Sequence, residues 1–553
     1  MDLDRYFSKN KKDVSSVFST IFDEINTEVM KYENGKPILS GKIQKYDVFL
    51  KNKHLPEKGN NIDDVLKDYS SLFQRSVIWE HPGAMINITP PANLISIVAS
   101  AYASLYNPNF AQDESSGYLM TTELLVSKYL CELVGWNFNK ANGIFTFGGK
   151  GTNLYAVKIG LNKAIPNIIN EGVLNNKILV FSSEKGHPCH REVCDWLGLG
   201  KSACKRIKTN FKGQIDINEL EKELRDAIEQ DIKIGCIILN GGTTNEIIID
   251  PIKKVVELRN KLVKEYNLSY CPHIHVDSVI GWAWLFFKNY DFKKNDLKMS
   301  TIELKKIRSM KNKIKQLYYA DSFGADFHKT GFCPYISSIF MSNNYNDVTM
   351  LGNKKHLGIN NLKFGEYSPF EYTLELTRSS IGPISAYIAL EIFGVKGYQK
   401  LIYNLFSNSE YIRNKLSVNS KFEVLNNDTE GIATLFIIKN QKYNQDFYKM
   451  NKKLSLNQIK EFIDYNHQFY LFCLNKLEKG EAHFKMTYSK SYKPFYSDII
   501  TGALKIYPTS PIVSKKELDN VIEEIVKFKD EFDKSHKIII DNRNLPSDFV
   551  YRQ

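Results

Sequence analysis

Between residues 143 and 341 the hydrophobic pattern alternates between short β-rich runs and helical stretches. That rhythm constrains the fold more than any other feature. "GIFTF" (143–147) reads as a strand, and "GGKGTNLYAVKIGLNKA" follows as a glycine turn opening a helix. "KILVFSS" (177–183), "CKRIKTN" (204–210), "IGCIILN" (234–240), "HIHVDSV" (273–279), "YADSFGADF" (319–327) and "YISSIFM" (335–341) are further strands. Helical patterns separate several of them. "DINELEKELRDAIEQD" has Asp216 at its N-cap, and "DPIKKVVELRNKLVKEYN" has Asp250 as cap with Pro251 in the first turn. Such alternation predicts an α/β fold with a mostly parallel sheet covered on both faces.

In sheets of this kind ligands gather beyond the carboxyl ends of the strands. The residues that follow the strands are Gly148 and Gly149, His187, Gly242 to Thr244, Asp277, and His328 with Lys329. Before about residue 100 the pattern is helical with polar linkers. After about 390 a smaller unit begins, ending in a strand, a turn and an amphipathic helix, "ALKIYPTSPIVSKKELDNVIEEIVKFKDEF". No internal repeat is present.

Composition narrows the function classes. The net charge is +12, but 74 basic and 62 acidic residues are interspersed, and no nucleic-acid reading motif accompanies them. No nucleic-acid partner is expected. The eight cysteines (131, 189, 194, 204, 236, 271, 333 and 473) show no CxxC pair or framework spacing. They read as free thiols of a reducing, cytoplasmic protein. The start, "MDLDRYFSKNKKD", lacks the apolar core of a signal peptide, and no run is long and apolar enough for a spanning helix.

The strand ends carry distinct chemistry. "TFGGKGTNL" suits an anion: glycines allow close backbone approach, and a helix N-terminus offers unpaired N–H groups. It also reads as a plain tight strand–helix turn. Asp277 ends a strand and needs a cationic or donating partner, which an internal salt bridge would also supply. His273, His275 and Asp277 alternate onto one strand face as metal ligands would, but no second cluster accompanies them and no metal is expected. Lys329, sheltered after a strand, suits a nucleophilic amine with a depressed pKa. A lysine, a carboxylate and a phosphate cradle together match the needs of one aldehyde cofactor, pyridoxal 5'-phosphate (PLP). The lysine forms an imine, the carboxylate holds the ring nitrogen protonated, and the helix terminus holds the phosphate.

The ordered set "HP" (81–82), "GGKGTNL", "HPC" (187–189), "GGTTNE" (241–246), "HVDS", "ADSFGADFHK" and "TLELTRS" (373–379) resembles the PLP-dependent group II amino-acid decarboxylases. The resemblance implies an aspartate-aminotransferase-like type I fold and an obligate homodimer with active sites at the subunit interface. It implies Lys329 as the imine lysine, Asp277 on the pyridine nitrogen, and His187 stacked on the ring and aiding proton transfer. Gly148, Gly149 and Lys150 match the phosphate loop with His328 nearby, and Thr244 matches a residue close to cofactor and substrate. Asn87 falls among substrate contacts. On a lid following the lysine (343–372), Tyr367 is the first choice of proton donor and Tyr345 the second. Gln112 and Asp113 suggest a polar pocket lining. Three units are expected: a helical segment 1–100 packing on the partner subunit, a PLP-binding domain 101–390 and a small C-terminal domain 391–553.

The sequence also departs from the family. Phe147 stands before the glycine pair, Ser278-Val279 follows "HVD", and the lysine is followed by "TGFCPY". Lys505 stands where relatives often carry an arginine; as a substrate-carboxylate ligand it keeps the charge but loses the bidentate fork. The expected activity is α-decarboxylation of an L-amino acid to its amine. The alternatives are oxidative deamination to an aldehyde or transamination on the same cofactor, and a catalytically inactive basic binding protein.

Overall fold

The computed structural model describes residue 7 and residues 14–51, 53–173, 176–352, 362–439, 454–494 and 499–535. All seven expected strands of the middle region form one sheet: β1 (Asn142–Thr146), β2 (Ile178–Ser183), β3 (Cys204–Ile207), β4 (Lys233–Asn240), β5 (His273–Asp277), β6 (Ser322–Asp326) and β7 (Ser338–Ser342). Their order is β1-β7-β6-β5-β4-β2-β3. Strands β2 to β6 pair in parallel, whereas β7 is antiparallel to both β1 and β6. The reversal has a local cause. Parallel neighbours need a crossover of a dozen or more residues, usually a helix. The link from β6 to β7, "FHKTGFCPYIS", is short and holds no helix, so the chain turns straight back. That tight link carries Lys329 at the carboxyl edge of β6.

Because β1 runs in the same sense as β2 to β6, the segments after β1, β2, β4, β5 and β6 all emerge on one edge. The strands are buried on both faces, every residue of β5 and β6 and all of β4 after Lys233, as expected of parallel strands in the interior of a sheet. Beneath them "GWAWLFF" (281–287) is a wholly buried 3₁₀ segment, with Trp282 packed on Phe327 at 4.6 Å between ring centres.

Local signals explain most helix starts. The Asp216 carboxylate accepts from the N–H groups of Asn218 and Glu219, as expected of the N-cap. Asp250 does something else. The helix starts only at Ile252, and the Asp250 side chain instead accepts from the N–H groups of Ile215 and Asn240, both at 2.7 Å. It is wholly buried, which lifts its pKa to about 6.

A second sheet, β10-β11-β9-β8, is antiparallel and comprises β8 (Phe422–Val424), β9 (Thr434–Ile438), β10 (Thr487–Ser489) and β11 (Ala503–Ile506). The Lys515–Ser535 helix buries Leu518, Val521, Ile522, Ile525, Phe528 and Phe532 in the same core, the amphipathic spacing read from its sequence. The long Ile381–Ser417 helix joins the two cores and is broken at Gly394, which has φ 53°. Tyr398, Ile402 and Phe406 pack in the large core; Ile412 and Leu416 pack in the small one. No helix among the described residues is long and apolar enough to cross a membrane.

Candidate active site

A cavity of about 450 Å³ opens at the carboxyl edge of the large sheet. Asn87, Gly148, Gly149, Lys150, His187, Thr244, Asp277, His328 and Lys329 all line it, so nine sequence-selected residues meet in one place. Segments far apart in the chain converge there because the parallel strands share a carboxyl edge.

Lys329 reaches into this cavity with its ammonium 2.8 Å from Asp326 Oδ2. Burial disfavours the ammonium, but Asp326 outweighs that and Asp277 adds to it, so the pKa lies above that of an ordinary lysine. The expected depressed pKa is therefore corrected: the nearest partner is an anion three residues earlier. Asp326 is itself held by the Ser338 hydroxyl, with His328 Nε2 at 3.4 Å.

Asp277 lines the same cavity. Its Oδ2 accepts from His190 Nε2 at 3.0 Å and from Asn153 Nδ2 at 3.2 Å, while its Oδ1 is buried and makes no hydrogen bond. Burial alone would raise its pKa, but the His190 hydrogen bond and the neighbouring Lys329 help to bring it down to about 2. Cys189, His190 and Asp277 place three ligand-type atoms within 4.8 Å of one another. The hydrogen bond already joins two of them, and burial keeps the Cys189 thiol protonated. His273 and His275 do not turn toward Asp277 as ligands; both address the Ser322 hydroxyl, at 2.7 and 2.8 Å.

His187 Nδ1 accepts from the Cys189 N–H at 3.2 Å, and burial lowers its pKa to about 3. It presents a neutral imidazole. At the glycine turn, Gly148 has φ 112° and caps the Gly149–Ala164 helix without a side-chain hydrogen bond. A Cβ at Gly149 would stand 3.1 Å from both Asp326 Oδ2 and Val279 Cγ1, so any larger residue would narrow the cavity. Lys150 pairs with Glu192 beside the turn. Asn87 adopts φ 49° and leaves its Oδ1 without a hydrogen bond.

The remaining selected residues lie elsewhere. Lys505 is buried on β11, 3.5 Å from Asn245 Oδ1, and lines a smaller neighbouring cavity that shares His187, Thr243 and Thr244 with the first. Tyr367 does not line the cavity of its own chain. It is buried beside Phe110, Met120 and Ile384, and its hydroxyl donates to Glu123 Oε1 at 3.2 Å. Arg378, from the "TLELTRS" stretch, grips both oxygens of the same Glu123. Tyr345 starts a short helix, its N–H bonded to the Lys140 carbonyl, and is absent from the cavity lining. Asp113 does not line it either; its Oδ2 accepts from the N–H groups of Gly365 and Tyr367. Gln112 is likewise absent from the lining. Residues 353–361 of the expected lid lie outside the described residues. Sequence reasoning passed over Asn153, His190 and Tyr335. Tyr335 lines the cavity mouth, its ring 4.2 Å from that of His328.

The family model described as the pyridoxal-dependent decarboxylase conserved domain matches residues 45–439. The chain belongs to this family. This decarboxylase is a PLP-dependent carboxy-lyase. Its fold is that of mouse CSAD, at TM-score 0.74 and 16% identity, covering 93% of this chain and 99% of that one. It is similarly like Oryza sativa TDC solved with PLP and tryptamine (TM-score 0.74, 14% identity, 95% and 99% covered). A third match is the glutamate decarboxylase domain of a Vibrio parahaemolyticus diaminobutyrate-pyruvate transaminase and L-2,4-diaminobutyrate decarboxylase (0.71, 17%, 96% and 99%).

The cavity of the decarboxylase fits PLP on its own terms. It offers an amine in Lys329, an anionic carboxylate with a bare buried oxygen in Asp277, and an uncapped helix terminus behind two glycines. The raised Lys329 pKa has a direct consequence. Only a free amine attacks an aldehyde, so if Lys329 is the amine that captures PLP, capture by the ligand-free protein is expected to accelerate as pH rises toward that pKa. Asp326→Asn removes the nearest anion, and the midpoint of the capture rate against pH is expected to move down. Stopped-flow absorbance would measure it, and an unmoved midpoint would contradict the assigned cause.

Proposed function

We propose that this carboxy-lyase is an L-amino-acid α-decarboxylase releasing carbon dioxide and the corresponding amine. The observation that carries the proposal is a pair lining one cavity: the Lys329 amine and ionised Asp277, whose Oδ1 makes no hydrogen bond. Bound PLP supplies an aldehyde for the substrate amine and a ring that accepts the electron pair left when carbon dioxide departs. Lys329 would hold the cofactor between turnovers and would yield its place to the substrate amine. Asp277 keeps a proton on the ring nitrogen, which makes the ring an effective electron sink. His187, a neutral imidazole in the cavity lining, would pack against the cofactor and assist proton transfer. The N–H groups after Gly148 and Gly149 hold the phosphate, with Lys150 and His328 beside them. Thr244 borders both cavities, and Lys505 in the smaller one supplies positive charge for the substrate carboxylate. Asn87 Oδ1 offers the substrate a hydrogen-bond acceptor.

The working unit in this proposal is a homodimer with the site at its interface. Supporting it, the Leu94–Ser104 helix exposes Leu94, Ile95, Val98 and Tyr102. At the cavity mouth Phe147, Tyr335 and Ile336 remain 41%, 54% and 50% exposed, much for apolar side chains beside an active site. A partner subunit would cover both surfaces. Seven of the eight free cysteines are buried, in keeping with a cytoplasmic setting.

One observation favours a second reading. Tyr367 is locked on Glu123 and Tyr345 stands outside the cavity, so neither expected proton donor faces the reacting carbon in its own chain. Without such a donor, oxidative deamination to an aldehyde competes. Incubation of the PLP-loaded protein with a panel of L-amino acids separates the two. Amine and carbon dioxide in equal amounts support the decarboxylase; aldehyde, ammonia, carbon dioxide and hydrogen peroxide with dioxygen consumption would replace it.

A further inference from the structure

His190 is wholly buried three residues after His187, in the first turn of the Cys189–Trp196 helix. Its two ring nitrogens connect Asp277 on β5 to a pair of residues on β2 and β3. Nε2 lies 3.0 Å from Asp277 Oδ2, and Nδ1 lies 2.6 Å from Ser182 Oγ. Behind Ser182 stands Arg206, whose Nη1 is 3.1 Å from the same hydroxyl. Arg206 also donates to the Gly186 carbonyl, which fixes the guanidinium in place.

The directions of these hydrogen bonds follow from what each group can do. A guanidinium only donates, so the Ser182 oxygen accepts from Arg206. The Ser182 proton then has His190 Nδ1 as its acceptor, which leaves the imidazole proton on Nε2. From there it is donated to Asp277, an anion that only accepts. A second proton on His190 is disfavoured by complete burial and by Arg206, despite the pull of Asp277. His187, Cys189, His275 and Lys329 are the other titratable groups near this carboxylate.

We propose that His190, oriented by Ser182 and Arg206, is a positioning residue that donates as a neutral imidazole to Asp277 and thereby aims the bare Oδ1 at the cofactor's ring nitrogen. The inference rests on the reading of Asp277 as the partner of that nitrogen. The choice of a neutral donor matters. An imidazolium in its place would offset the carboxylate charge and weaken its hold on the ring proton. A side chain without a donor would leave Oδ2 competing with Oδ1 for the same ring N–H, or recruiting water. His190 and Asn153 together occupy Oδ2 without adding charge, so Asp277 keeps its negative charge and Oδ1 keeps no hydrogen-bond partner in the protein.

The test uses the full chain freed of cofactor and two probes: PLP, and its analogue with a C–H in place of the ring nitrogen. Wild-type protein is expected to bind PLP more tightly than the analogue. His190→Phe removes the donor and should weaken PLP about ten- to a hundredfold while changing the analogue's Kd by no more than about threefold. His190→Gln, which restores a neutral N–H, should recover most of the loss. Equal weakening of both probes by His190→Phe, or no weakening of either, would overturn the proposal in favour of a packing role. Should His190→Phe not fold, Ser182→Ala decides in its place. A smaller loss confined to PLP supports the tautomer lock, and an unselective loss or none overturns it. Asp277→Asn separates the two levels of the argument. If it leaves the preference for PLP intact, the reading of Asp277 fails; if it abolishes that preference while His190→Phe does not, only the role of His190 fails.

Discussion

Lys329→Ala is expected to lower carbon dioxide release by at least ~10³-fold, the upper range for loss of a group that acts in the chemistry. The cofactor would still enter the cavity, because the glycine turn and Asp277 are untouched, but it would be held only by non-covalent contacts. No other lysine among the described residues is placed to substitute. Lys150 lines the same cavity but is paired with Glu192. Two measurements check the claim together: carbon dioxide release at saturating cofactor, and the visible absorption of the bound cofactor, which should revert to that of a free aldehyde. Residual turnover within about tenfold of wild type would remove Lys329 from its assigned role.

Asp277→Asn is the second large effect, with turnover expected to fall about 10²- to 10³-fold, as for other preorganised charges facing a reacting group. The amide keeps the shape and loses the charge, so the ring nitrogen would no longer be held protonated. The new side chain would also turn either its NH₂ group or its oxygen toward His190, and only the oxygen suits the donor already there. The pH dependence has a definite sign. The Asp277 pKa is depressed to about 2, so its anion is fully present above that value and is lost only as pH falls through it. Any acid limb in the pH–rate profile between about pH 4 and 7 therefore belongs to another group. An acid limb in that range that vanished in Asp277→Asn would refute the assignment.

Much of this is legible in the residues, for identifiable reasons. A parallel sheet must bury both faces of its strands, so β4 leaves a conspicuous apolar run, and β4, β5 and β6 each lead into polar, chemically capable residues. Gly149, Asp277 and Lys329 can be selected because each proposed job requires its residue type. His190 carries no such signal, since a histidine at a helix start fits many roles and its partner Asp277 is distant in sequence. The direction of the Lys329 shift escapes a reading that weighs burial without Asp326, whose side chain reaches the same space only once β6 has ended. Tyr367 misleads for a related reason. It sits in a polar, glycine-containing stretch that reads as a surface loop, yet Glu123, Arg378 and the Asp113 carboxylate draw it inward. Asp250 looks like a helix cap by position, and is claimed instead by two backbone N–H groups from neighbouring segments.

The reversed strand β7 also has a bearing on how the chain acquires its shape. β1 has no neighbour in the sheet other than β7, and their register joins Thr146 to Ser338 and Asn142 to Ser342. The strand leading into the glycine turn therefore stays unpaired until the ribosome has delivered the segment after Lys329. Pairings across such sequence distances close slowly, because loop entropy is lost before any contact is gained. Both halves of the cofactor cradle are then completed by the same late event. Cofactor present during synthesis would bind only the finished sheet and draw the equilibrium toward it by mass action. Cofactor binding is therefore expected to favour the folded chain only once this single five-residue strand is in place.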